Sequence, residues 1–170
     1  MDEAQKALNR TVWEHIDAKR FEQAEPALRQ LIELVDPEDH ELRWHLLGML
    51  GSVCNSQEHF DEGTDAYRRS LEESRRLGAS APEVHVARYV LANQYLLFGD
   101  PRDALEVIEV IPAGIGHTQS LLHGVVAEAL WKLDRRDEAR VAARRAIETA
   151  PTDDRRAAAS AHLDFILGTA

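Results

Sequence analysis

Four short segments of this chain share one design: Phe21-Glu22-Gln23-Ala24, Phe60-Asp61-Glu62-Gly63, Pro101-Arg102-Asp103-Ala104 and Arg136-Asp137-Glu138-Ala139. Each places carboxylates just before a small residue, and the small residues follow one another at intervals of 39, 41 and 35 positions. Carboxylates at the start of a helix face the positive end of its dipole, and a small residue lets two helices approach closely. The flanking stretches are rich in Ala, Leu, Glu and Arg, the strong helix formers. β-branched alternation is nearly absent. In 91–97, Leu91, Ala92, Tyr95 and Leu96 recur at i, i+1, i+4 and i+5, which is helical spacing. The repeating unit is therefore read as a helical hairpin and the chain as all-α.

Start and stop signals divide the chain further. Asp36 is placed as a cap with Pro37 at the first helical position, Ser80-Ala81-Pro82-Glu83 reads as a capping box, and Thr118 and Thr152 are further candidate caps. Helix ends are expected at Leu77-Gly78, Phe98-Gly99-Asp100 and Ile111-Pro112. Pro26 predicts a distortion or a later start in the helix that would otherwise begin near Phe21. These signals give hairpins over about 2–35, 37–77, 81–111 and 118–150 and a last helix over 153–168, in a single domain spanning 1–170. Ala158, Leu163, Ile166 and Leu167 form the apolar side of that last helix.

Trp44-His45-Leu46-Leu47-Gly48 followed by Gly63 and Tyr67 resembles the tetratricopeptide repeat (TPR) pattern of a large residue, Leu-Gly, and a later small residue and aromatic. Leu91-Ala92, Tyr95, Ala104 and Ile108 match it in the third unit, and Val126-Ala127, Leu130, Ala139, Ala146 and Pro151 in the fourth. The first unit is weaker, with Thr11-Val12 and His15 in place of Leu-Gly and Tyr, but Phe21, Ala24 and Leu28 fall correctly. The resemblance implies an α-solenoid of about four antiparallel hairpins with a carboxyl-terminal capping helix, each unit touching mainly its neighbours.

Charge narrows the choice of partner. The chain has 20 Lys and Arg against 30 Asp and Glu, a net charge of −10, so it repels phosphate backbones and anionic headgroups. Neither nucleic acid nor membrane is an expected partner. No apolar run of signal-peptide type opens the chain, none reaches about 18 residues, and the one cysteine, Cys54, forms no disulfide framework. A cytoplasmic protein is expected.

Catalytic and metal motifs are missing from the sequence. None of the eight His has an acidic residue three positions before it, His-Glu-x-x-His does not occur, and His40/His45 and His117/His123 are spaced off a common helical face. Cys54 beside Val53 reads as a buried core thiol. Gly-x-Ser-x-Gly is absent, and Ala113-Gly114-Ile115-Gly116-His117 lacks the third glycine and the preceding strand of a dinucleotide loop. No enzyme, cofactor or metal is expected.

The resemblance to TPR proteins implies that the first helix of each hairpin lines a concave groove. Register then assigns Lys6, Asn9, Trp13 and Ile16; Leu42, His45 and Met49; Val86, Tyr89, Asn93, Leu96 and Leu97; and Leu121, Glu128, Trp131 and Lys132 to that face. Trp13, His45, Met49, Tyr89, Asn93, Leu96, Glu128 and Trp131 are the candidate partner-binding residues, with Asn93 suited to a peptide backbone because its amide both donates and accepts. The basic and amide clamp with which some TPR proteins hold carboxyl-terminal tails is not at the corresponding positions. A mixed apolar and polar groove implies an apolar helix or extended peptide of a partner protein instead. Alternatives of another class are an acidic chaperone like the small TPR chaperones of bacterial secretion, and a small-ligand sensor using a pocket near His117 and His123. Phe165, Ile166 and Leu167 near the carboxyl terminus are a candidate homodimer surface.

Overall fold

The computed structural model describes residues 2–168. They form α1 (Glu3–Asp17), α2 (Phe21–Leu34), α3 (His40–Ser56), α4 (Phe60–Arg76), α5 (Pro82–Phe98), α6 (Pro101–Ile108), α7 (His117–Lys132), α8 (Arg136–Glu148) and α9 (Asp153–Leu167). No strand occurs among the described residues, and none of these helices is long and apolar enough to cross a membrane. Contacts group the chain into two compact units, Met1–Ala87 and Arg88–Ala170.

In the first unit the helices are joined into antiparallel hairpins. The Gln5 side chain at the start of α1 donates to the Leu34 carbonyl at the end of α2. In the next hairpin Ser70 of α4 donates to the Trp44 carbonyl of α3, and Ser52 and Tyr67 share a hydrogen bond nearer the turn between the two helices. The small residue of the repeated segment lies at this contact: a Cβ on Gly63 would collide with the Asn55 side chain, and one on Gly51 would stand 2.5 Å from the Tyr67 ring. Ala24, Ala104 and Ala139 are likewise fully buried. The core of this unit packs Val12, Leu28, Leu31, Leu46, Leu47 and Leu50 together, each almost without exposure.

Three turns are built alike. Helices α1, α3 and α7 are each followed by a residue with positive φ, namely Lys19 (54°), Glu58 (63°) and Asp134 (60°), and then by one residue before the next helix. In each, the N–H of that last residue reaches back five positions: Arg20 to the His15 carbonyl, His59 to Cys54 and Arg135 to Leu130. These bonds satisfy carbonyls that the helix end leaves open, in the manner of a Schellman cap. None of the three left-handed residues is glycine, so no sequence signal announces the turn.

Several helix ends differ from the sequence reading. α3 starts at His40 with Asp39 as its cap, accepting from the Leu42 N–H, while Asp36 caps only the local turn through the Glu38 N–H. α5 begins on Pro82, which puts Ala81 rather than Ser80 at the cap position. α7 begins at His117 after Gly116 (φ 62°), which has no side chain to cap with, so Thr118 is already helical. Thr152 does cap α9, its hydroxyl accepting from the Arg155 N–H. α6 ends at Ile108, short of Ile111-Pro112, because Glu109 turns to positive φ (49°). Pro26 lies inside a continuous α2. It is exposed, so the Glu22 carbonyl that loses its N–H partner lies on the solvent side of the helix.

A buried ion-pair knot ties α3 to α4. Glu73, 7% exposed, accepts from His40 Nδ1 at 2.8 Å and Arg43 Nε at 3.0 Å, with Arg76 at 3.4 Å. Burial alone would raise the Glu73 carboxyl, but the bonds from Arg43 and His40 outweigh it and hold the group below the usual carboxylate range.

Glu58→Gly relieves a left-handed cost of about 1–2 kcal/mol but adds unfolded-state freedom of about 0.4–1 kcal/mol, so it should stabilise the protein by roughly 0.5–1 kcal/mol in urea titration. A destabilised variant would show that the Glu58 side chain contributes more than its backbone costs. Glu73→Gln should destabilise by about 2–3 kcal/mol, because it leaves the mostly buried Arg43 without its carboxylate.

Candidate binding site

In the second unit three helices run in the same direction. His117 of α7 meets Arg155 of α9 and, further along both helices, Glu128 meets His162. Lys132 at the end of α7 donates to the Leu96 carbonyl in the last turn of α5 at 2.6 Å. This contact caps an open carbonyl and places a cation at the negative end of α5. Behind them α8 returns antiparallel to α7, with the Ser120 hydroxyl donating to the Ala146 carbonyl at 2.6 Å.

The parallel helices enclose a cavity of about 410 Å³, within the range that ligand sites occupy. From α5 it takes Tyr89, Asn93 and Leu97, spaced i, i+4 and i+8 on one stripe. From α7 it takes His117, Leu121, Gly124 and Glu128, and from α9 Arg155, His162 and Leu163. Leu97 is 60% exposed at its edge.

The polar groups fall into three sets. His162 Nε2 and Glu128 Oε1 are 2.6 Å apart and satisfy one another. Arg155 Nη1 lies 3.2 Å from His117 Nε2. A guanidinium only donates, so Nε2 is the acceptor and the proton sits on Nδ1, which is buried and has no partner. Burial, and then the Arg155 charge, pull the His117 imidazole below its ordinary range and keep it neutral. Tyr89 and Asn93 form the third set and have no hydrogen-bond partner among the described residues. Burial and the Glu128 charge push the Tyr89 phenol upward, so it remains a donor.

Gly124 is the unexpected member. A glycine inside a helix costs about 0.5–1 kcal/mol relative to alanine. Gly51 and Gly63 each face a neighbour that excludes a Cβ, whereas the space where Gly124 would carry one has nothing within 4 Å. Packing within the protein does not call for glycine there.

The structure thus gathers Tyr89, Asn93 and Glu128 of the candidate partner-binding residues around one cavity, with Leu97 and Leu121 of the same expected face. Leu96 is not available to a partner: its side chain is buried and only its carbonyl is used, by Lys132. Trp131 is engaged within the chain, with the Arg136 guanidinium 3.7 Å over its ring and Phe165 edge-on at 5.8 Å. Trp13, His45 and Met49 belong to the first unit, where Trp13 is 43% exposed, His45 stands beside Trp44, and Met49 packs on the core. Of Phe165, Ile166 and Leu167, Ile166 is fully buried and Leu167 packs on the same core, which leaves Phe165 exposed. His117 and His123 do not share a pocket. His123 borders a separate cavity of about 730 Å³ with Val110, Val141 and Arg145.

Sequence reading passed over Gly124, Arg155 and His162, although Gly124 continues the stripe from Leu121 to Glu128 at helical spacing. It also passed over a cluster in the first unit in which Glu25, Cys54 and Glu62 bring ligand atoms within 4.8 Å of one another. Arg29 supplies the cation there, pairing with Glu25 at 2.8 Å and Glu62 at 2.5 Å. Burial, reinforced by Glu25, pushes the Cys54 thiol up to about 11, so it stays protonated between the carboxylates.

No family model and no curated protein matches the sequence. Among solved structures, the chain is similar to BtubC (BKLC) from P. vanneervenii, with a TM-score of 0.66 and 14% identity over 96% of this chain and 75% of that one. At that identity the likeness bears on the all-helical fold.

Burial also lowers the His123 imidazole, with Arg145 adding to the effect. The folded forms of His117 and His123 therefore bind protons less readily than the unfolded chain, whose imidazoles titrate near 6.5. Their contribution to stability is complete above about pH 6.5 and declines as pH falls below it. The urea midpoint should drop between pH 7.5 and 5.5, and His123→Gln should flatten part of that slope; a midpoint independent of pH would contradict the burial of these rings.

Proposed function

We propose that this chain is a noncatalytic protein-interaction module that holds an apolar helix or extended peptide of a partner protein. The cavity along α5, α7 and α9 carries the reading: it has an apolar floor, an exposed Leu97 at its edge, and the polar groups of Tyr89 and Asn93 left unused by the protein. Protein-binding clefts combine such apolar surface with a few polar groups that fix orientation. Recurrence of the hairpin turn supports a solenoid of TPR type, four hairpins closed by α9, as the scaffold that presents this face.

The test is affinity capture from native cell extract with the wild-type chain and a Tyr89→Ala/Asn93→Ala variant. The variant should lose at least about tenfold of the captured partner, the equivalent of about 1.4 kcal/mol, with its far-ultraviolet circular dichroism unchanged. Equal capture by both proteins would remove this face from the interaction.

A further inference from the structure

The open space above Gly124 and the charge of Arg155 together specify what the cavity takes. Gly124 is a mid-helix glycine that no neighbour requires, and its missing side chain opens into the cavity, bringing the α7 backbone within reach of an incoming group. Leu121, Leu97 and Leu163 border the same cavity and favour an apolar group beside Gly124. Arg155 contacts only the neutral His117 and has no carboxylate partner among the described residues. Glu128 is already paired with His162. Glu128 lies eleven residues along α7 from His117, about 16 Å by helical rise, so the exposed guanidinium of Arg155 makes the His117 end of the cavity positive in a chain whose net charge is −10.

Resting on the interaction-module reading, we propose that the cavity binds an extended peptide of the partner through one apolar side chain, seated over Gly124, and one carboxylate side chain held by Arg155. Asn93 and Tyr89 favour an extended segment over a helix, because an extended backbone offers free N–H and carbonyl groups while a helix has already used its own. The spacing follows from the helix. Arg155 meets α7 at His117, seven residues before Gly124, which is about 10 Å along the axis. An extended peptide advances about 3.3 Å per residue, so the acid lies about three residues from the apolar anchor.

The experiment measures fluorescence anisotropy of labelled, acetylated octapeptides with the full chain. Each peptide carries one Leu in a Gly/Ser background and an Asp one, two, three or four residues away on either side, with Asn and Lys at the same places as controls. Binding should peak with Asp three residues from Leu and weaken about tenfold with Asn, the fold-change expected when one charge-assisted bond is lost. Gly124→Leu should remove the requirement for the peptide Leu and weaken binding at least as much, while its thermal midpoint stays equal or rises, since a good helix former enters open space. Arg155→Gln should abolish the discrimination between Asp and Asn and keep the preference for Leu. The proposal is overturned if no peptide in the panel binds, if Gly124→Leu binds as wild type, or if discrimination survives Arg155→Gln. Saturable binding of octanoate in place of any peptide would also overturn it, by making the occupant a small free acid. If the native partner is captured by the wild type and Gly124→Leu but lost by Tyr89→Ala/Asn93→Ala, the interaction reading stands and this proposal falls. Loss of neither capture would reject both.

Discussion

Close approach of two helices at a small residue is the constraint on which the hairpins depend. In the hairpin of α3 and α4, Gly63 lies so near Asn55 and Gly51 that a methyl group does not fit, and the Tyr67 ring occupies the space over Gly51. The contact is maintained by main-chain acceptors and side-chain hydroxyls, Ser70 to Trp44 and Ser52 with Tyr67, so few large apolar residues are needed on the second helix. That explains how α4 and α8 can be strongly charged on their outer faces while Ala66 and Leu71, or Ala142, Ala143 and Ala146, form their inner ones. The acidic first turns of α2, α4, α6 and α8 sit where the helix dipole favours them, which accounts for part of the net charge without reference to any partner.

Charge also appears where it is costly. Glu73 and Glu25 both remain ionised despite burial because each is met by an arginine and a second donor, Arg43 with His40 for the former and Arg29 with Gln57 for the latter. Removing one member of such a knot leaves the other charge unsatisfied, so these contacts define how α2, α3 and α4 register on one another more than they add net stability. The Glu25 knot encloses the thiol of Cys54 and gives the single cysteine a reason to stay unreactive.

The cavity of the second unit differs in kind from these knots. Its neighbours satisfy one another only in part: Glu128 and His162 form a closed pair, but His117 Nδ1, Tyr89 and Asn93 are left over, and Gly124 leaves room that the core does not fill. Tyr89 and Asn93 are partly exposed and open to solvent, whereas His117 Nδ1 is buried, as are the unpartnered His15 Nδ1 and Arg88 Nε. An open space over Gly124 and a buried, unpartnered ring nitrogen of His117 border the same cavity.

By itself the sequence determined the helices and their rhythm. Periodicity, helix formers, the acidic turns and the small residues Ala24, Gly63, Ala104 and Ala139 are local properties, and local properties act within the window in which they are read. The left-handed turns at Lys19, Glu58 and Asp134 escaped it because lysine and glutamate do not favour positive φ and aspartate only tolerates it; the bond back to the preceding helix imposes it. Tertiary structure alone decided which residues form the site. Helical register put Leu96, Trp131 and Asn93 on neighbouring positions of a groove, yet the packing of one helix on the next buries Leu96, wraps Trp131 with Arg136 and Phe165, and leaves Asn93 free. Arg155 and His162 join Tyr89 from more than sixty residues away, and no spacing rule connects them. A periodicity fixes which side of its own helix a residue faces, and only the neighbouring helix settles whether that side is core or open surface.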